Sequence, residues 1–265
     1  YQHLDNRDPI SAADLTRIVG QYVKYLAENN LEELIPTYLA HIPQEADARE
    51  LYSEFLTSLV DPEKREKQID VAKKFNEQFD DYLIAPTGNG NEDPNYEGKM
   101  VNVLRRTVEK VMNATADAYK PNTSGQLVLQ DDILDPQDLK LYRAVDWFFE
   151  TNLYEDAIKA SITTIRRFLL NGKLKALKSF GGEKNFVQLI KDYDFSANTK
   201  LLSSNTATVA VSENDKDELQ QYGVFIQGLA HIEEWKTFLR ENQVNGVLKG
   251  TKKFWESNYV KTAIE

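Results

Sequence analysis

The sequence predicts an all-α protein, an irregular α-helical solenoid of stacked helix pairs. Three observations carry this reading. Apolar residues recur at helical spacing through most of the chain, recognisable start signals open the periodic stretches, and strand signals are nearly missing. The best strand candidate, Thr206 to Val211, is one short alternating run without a partner and reads as loop.

The elements follow in order. Ser11 with Asp14 forms a capping box ahead of a stripe at Leu15, Ile18, Val19, Tyr22 and Leu26. Asp61-Pro62 and Asp135-Pro136 each set a capping carboxylate before a proline at the first helical position. Asn152 with Glu155 reads as the start of a helix striped by Ile158, Ile162, Ile165 and Leu169, and Asn171-Gly172 as its stop. Ser212 with Asp215 opens a later helix. About ten to twelve helices are expected. Pairs such as 12–28 with 31–40, and 46–59 with 62–79, are joined by short turns and stack so that each covers the apolar face of the last. No short consensus recurs, so the array is irregular. The whole of 1–265 reads as one continuous array, with a disordered or mobile insert at 86–98 and loops at 121–130 and 198–212. Beginning at Tyr1 and stopping within an amphipathic stretch, it reads as a piece of a longer protein.

A formal charge of −10 argues against a phosphate-binding surface, which needs clustered Lys and Arg. The local basic patches, Leu104-Arg105-Arg106 and Ile165-Arg166-Arg167, read as solvated helix faces. With no cysteine there are no disulfides, thiolate metal sites or cysteine nucleophiles. No apolar run reaches the roughly 18 residues of a membrane span.

One string matches a catalytic signature. Asp131-Asp132-Ile133-Leu134-Asp135 is a DDxxD run of the kind that holds Mg²⁺ against a diphosphate in all-α enzymes. Asp135 precedes Pro136, so the run falls before a helix and its carboxylates would not share a helical face. The plain reading is a loop acid cluster ending in an N-cap. His3, His41 and His231 stand apart from one another, and Gly181-Gly182 reads as a helix-to-helix turn, without the strand a phosphate loop needs. These residues specify no catalytic, metal or cofactor site, and the chain reads as a non-enzyme.

Aromatic residues say more. Trp147-Phe148-Phe149 follows Leu139, Tyr142, Ala144 and Val145, giving a helix apolar nearly all round, the mark of a middle layer. These rings read as core, with a partner groove as the alternative. Phe254-Trp255, near the end of the array, is a candidate partner interface.

The region Leu139 to Leu177 contains LYRAVDWFFETNLYEDAIKASITTIRRFLLNGKLKAL. Its acid-Trp pair (Asp146, Trp147), followed by Phe148 and Phe149, leads into an Ala-containing helix. Arg166, Arg167, Phe168 and Leu169 come next, with Gly172 and Lys173 shortly after. Trp235 in HIEEWKTFL and the upstream ARELYSEFLTSLVDPEKREKQIDVAKKF complete the pattern. Together these resemble the outer-ring, or Y-complex, nuclear pore scaffold nucleoporin that links the hub of the Y to its tail, in its C-terminal half and in a fungal version. The resemblance implies a coat-type helical solenoid at the nuclear pore complex of the nuclear envelope. It also implies binding to the tail nucleoporin through C-terminal helices, contact with hub subunits through an N-terminal half, and indirect support of mRNA export and protein import. A vesicle-coat or tethering-complex scaffold shares the same physics, and a Mg²⁺-dependent diphosphate enzyme and a helical nucleic-acid adaptor are the remaining alternatives.

Overall fold

A computed structural model describes residues 11–71, 99–120, 129, 131–203, 211–241, 243–244 and 247–248. The predicted insert at 86–98 and most of the 121–130 loop lie outside these residues. The array begins with α1 (Ala12–Glu28), a 3-10 turn (Glu32–Leu34) and α2 (Ile35–Leu39), followed by α3 (Glu45–Leu56) and a helix over 62–71, α4. The second part holds α5 (Lys99–Thr115), a 3-10 turn (Ala116–Tyr119), α6 (Pro136–Glu150), α7 (Tyr154–Leu170), α8 (Leu174–Gly182), α9 (Phe186–Ser203) and α10 (Glu213–Glu241). Packing runs largely between near neighbours: α1 with α2 and α3, α3 with α5, α5 with α6, α6 with α7, then α7 to α10 among themselves. One continuous apolar core follows from Val19 and Leu26 through Leu104 and Trp147 to Phe180 and Ile226. The all-α stacked array is the observed fold. Its single sheet among the described residues is a two-residue antiparallel pair, Gln243–Val244 with Val247–Leu248, which the sequence reading did not anticipate.

The start signals act as their chemistry requires. Ser11 Oγ accepts from the Asp14 amide at 3.1 Å and donates to its carboxylate at 2.7 Å. Asp61 and Asp135 accept from the amides of Glu63 and Gln137 at 3.0 and 2.8 Å, and Ser212 repeats the Ser11 arrangement with Asp215.

Three helices end in the same way. Asn30, Asn152 and Gly172 take left-handed φ values of 54°, 58° and 64°. The next residue in each case, Leu31, Leu153 or Lys173, donates its amide back to Leu26, Phe148 or Phe168 at 2.9 Å. This is the glycine- or asparagine-terminated stop that satisfies the last carbonyls of a helix. Asn152 is therefore the stop of α6 rather than the cap of α7. The α7 helix starts at Tyr154, with Leu153 at the cap position providing no side-chain bond, because one turn serves both helices.

Two further expectations shift. The Gly181-Gly182 pair lies inside the last turn of α8, where a Cβ on Gly181 would come within 2.3 Å of Ile226 Cδ1, so the glycine lets α10 cross closely. The connector expected over 198–212 begins later, because α9 continues to Ser203.

The α6 helix justifies the middle-layer reading. Leu141, Tyr142, Ala144, Val145, Trp147 and Phe148 are all buried, and the helix touches α5, α7 and α8. Trp147 to Phe149 thus belong chiefly to the core, with Phe149 partly buried against it.

Candidate scaffold site

Several of the residues singled out from the sequence gather around two buried charge nodes. The first is centred on Asp146, on α6. Its side chain is 4 % exposed and meets three cations: Arg143 at 3.0 Å, Lys184 at 2.7 Å and Arg65 at 3.4 Å. Arg65, from α4, is 1 % exposed. It also donates to the Arg143 carbonyl at 2.7 Å and to the Glu150 carboxylate, and its guanidinium lies 5.5 Å from the centre of the Trp147 ring. A charge this deep is tolerated only when paired and hydrogen-bonded, and here one acid is shared by three bases. The node joins α4, α6 and the turn after α8. Glu150, at its edge, is pushed above the usual carboxylate range by burial, against the pull of Arg65.

The second node is centred on Asp138, also on α6 and 2 % exposed. Lys173 pairs with it at 2.7 Å, and Tyr119 donates its hydroxyl to the same oxygen. Lys173 Nζ and the Arg167 guanidinium lie 5.1 and 5.8 Å from the centre of the Tyr119 ring. Burial, with Asp138 beside it, raises the Tyr119 hydroxyl well above its ordinary value. Gly172 makes this node possible: its left-handed turn carries Lys173 from the end of α7 back over α6. Phe168, fully buried, packs on Tyr119 with ring centres 6.0 Å apart, and Leu169 packs partly buried against the same core.

The basic patches are engaged internally. Arg105 grips Asp156 at 3.0 and 2.9 Å, and Arg106 grips Glu50 at 2.8 and 3.2 Å. Arg166 pairs with Glu218 across α7 and α10, and Arg167 donates to the Met112 carbonyl at 2.9 Å. Each arginine joins two helices, which leaves little of the patch for phosphate. The DDxxD carboxylates diverge: Asp131 pairs with Lys178, Asp135 caps α6, and Asp132 is exposed. Lys178 holds the Asp131 carboxyl below its usual range. Among the described residues no group of acids and histidines could hold a metal ion, and no helix is long and apolar enough to cross a membrane.

The structure therefore brings together Asp146, Trp147, Phe148, Arg167, Phe168, Gly172 and Lys173 as internal fasteners. Arg166 works at the surface, and Trp235 sits apart, half-buried on α10. Phe254 and Trp255 lie outside the described residues. Sequence reasoning missed Arg65, Asp138, Glu150 and Lys184, which look like ordinary surface charges in a chain that is 28 % charged.

The family model for nuclear pore protein 84 / 107 matches residues 1–264. The chain belongs to that family. It is a nuclear pore complex scaffold nucleoporin, located at the nuclear envelope, and family membership agrees with the all-helical stack. No curated protein matches the chain in sequence. The resemblance read from Asp146 to Lys173 pointed to this nucleoporin family, and in the structure Asp146 and Lys173 brace α6 against its neighbours.

One brace of this nucleoporin is exposed enough to titrate. Hydrogen bonds from Arg106 and Lys110 hold the Glu50 carboxyl down to about 2, from an ordinary 4.5. A carboxyl depressed by folding stabilises above its unfolded value and loses that contribution as pH falls through the folded one. The link between α3 and α5 should therefore weaken progressively as pH falls from 4.5 to about 2. Glu50→Gln should flatten stability over that window while leaving the neutral-pH fold intact, as measured by denaturant unfolding at several pH values.

Proposed function

We propose that this nucleoporin segment is the spacer of an outer-ring coat arm, joining the hub of the Y-shaped assembly to its tail nucleoporin. The observation that carries the reading is the pair of buried nodes on α6 within a family match covering almost the entire chain. A stack of helices alone bends at each joint. Cross-bracing α6 to α4, to the turn before α8 and to the turn after it holds the spacing between the two ends. The chemistry is geometric, and no step calls for a cofactor or a catalytic residue.

The tail nucleoporin binds at the C-terminal end, where Phe254 and Trp255 supply apolar anchors, and hub subunits are engaged through the N-terminal half of the protein. Effects on mRNA export and protein import follow from pore assembly. The test is to mix the chain with the C-terminal domain of a tail nucleoporin and run size exclusion. A stable co-eluting complex, lost on Phe254→Ala with Trp255→Ala, is expected. Separate elution would overturn the tail contact, and co-elution with a vesicle-coat subunit instead would move the arm to another coat.

A further inference from the structure

The α1 helix is apolar over a wider arc than its neighbours cover. Val19, Val23 and Leu26 are buried and Leu15 partly so, on the side that packs against α2 and α3. Ile18, Tyr22 and Tyr25 continue the arc at spacings of four and three residues, and they are 54 %, 38 % and 54 % exposed. Tyr38, on α2, widens this open strip. Its ring meets Tyr22 edge-on with centres 4.6 Å apart, and Tyr25 stacks on the same ring at 5.9 Å. Leu34, one helical turn before Tyr38, is 43 % exposed.

We infer that this strip docks an amphipathic helix of another protein, one whose aliphatic stripe is bordered by lysine and arginine. Spacing and ring geometry supply the first half of that description. Apolar residues four and three apart form the seam on which a second helix packs. The tyrosine rings already hold one another in place, so little side-chain freedom is lost when a partner lands on them.

Charge supplies the second half. Asp14, Gln21 and Glu28 recur every seven residues along the outer border of the seam, and Glu33 stands exposed next to Leu34. The two bases of α1, Arg17 and Lys24, fall one row further round the helix, away from Tyr22. Arg17 reaches back to Asp14 at 3.2 Å, but both side chains are more than half exposed, so the pair is weak and leaves the acid open to a partner. Charges flanking a seam select the helix that packs there, and acids select bases. The same row disfavours a second copy of this chain. Two α1 helices laid antiparallel about a two-fold axis would set Asp14 beside a second Glu28. The inference rests on α1 and does not require the tail contact at Phe254 and Trp255.

The probe is a fluorescein-labelled three-heptad peptide with leucine at both seam positions and lysine at the flanking ones, set beside the same peptide with glutamate at the flanks. Like charges keep either peptide from pairing with itself. Fluorescence anisotropy should show the chain binding the lysine peptide about tenfold or more tightly than the glutamate peptide. Ile18→Asp with Tyr25→Ser should weaken the lysine peptide by about tenfold or more. Glu213→Lys, at the start of α10, should leave its affinity within about twofold. Glu28→Lys, a surface change that spares the core, should weaken the lysine peptide and strengthen the glutamate one. Circular dichroism of each variant checks that the helices persist. Equal binding of the lysine peptide to the chain and to the Ile18, Tyr25 double variant would overturn the inference, and so would equal binding of the two peptides. A dimer in sedimentation that Ile18→Asp dissociates would give the strip to a second copy, and that outcome also rejects it. Co-elution with a tail nucleoporin is measured separately, so failure of one reading leaves the other standing.

Discussion

Asp146→Ala should lower the free energy of unfolding by about 3–5 kcal/mol, because the change leaves buried cations without their shared acid. Arg143 and Lys184, 22 % and 11 % exposed, can turn partly towards water. Arg65 cannot: at 1 % exposure it would keep only Glu150, a backbone carbonyl and the face of Trp147. The loss therefore comes mainly from stranding Arg65. A paired change separates this cause from simple loss of packing. Arg65→Met together with Asp146→Leu replaces the pair by apolar groups of similar size, and such replacements are often neutral or stabilising. The double variant should recover most of the stability in chemical unfolding. If it is no more stable than Asp146→Ala, the stranded-charge account is wrong.

Trp147→Ala should cost a similar amount by a different route, about 3–5 kcal/mol for deleting a buried aromatic ring. Trp147 is 1 % exposed in the helix that touches α5, α7 and α8, so little surrounding chain is free to collapse into the space. The ring also forms one wall of the Arg65 site. The two effects should therefore couple: Trp147→Ala combined with Asp146→Ala should cost less than the two single losses added together. Full additivity in a double-mutant cycle would show that the ring and the carboxylate act independently. Trp147→Phe, which keeps an apolar face for the guanidinium, should retain much of the stability.

These two residues also show what could be read in the sequence. Trp147 follows Leu139, Tyr142, Ala144 and Val145 in a helical run, and that periodicity alone puts it inside. The caps at Ser11, Asp61, Asp135 and Ser212 were legible for the same reason, since each is a local bond between residues two or three apart. Arg65 sits in the run Glu63-Lys64-Arg65-Glu66-Lys67, which looks like a solvated helix face. Its partner Asp146 lies 81 positions away, and no short-range pattern announces a contact of that span. Asp138 and Lys173 escaped in the same way, 35 positions apart. Asn152 was misassigned because asparagine suits two jobs, accepting a hydrogen bond at a helix start and adopting positive φ at a helix stop. The choice between them depends on whether the preceding helix runs right up to it, and α6 does.

The α6 braces also bear on how the array comes apart. In a stack where each layer touches only the next, free energy is a sum of neighbour terms, so the ends can fray while the middle stays folded. Arg65 and Asp146 break that rule by linking α4 to α6 and, through Lys184, to the turn between α8 and α9. Loss of any one of these layers exposes charge in the other two, which ties their melting together. The middle of the array should open as one cooperative block whose amides exchange together, while α1 and α2, tied to α4 by the partly exposed pair of Lys64 with Glu32 in the turn between them, exchange earlier.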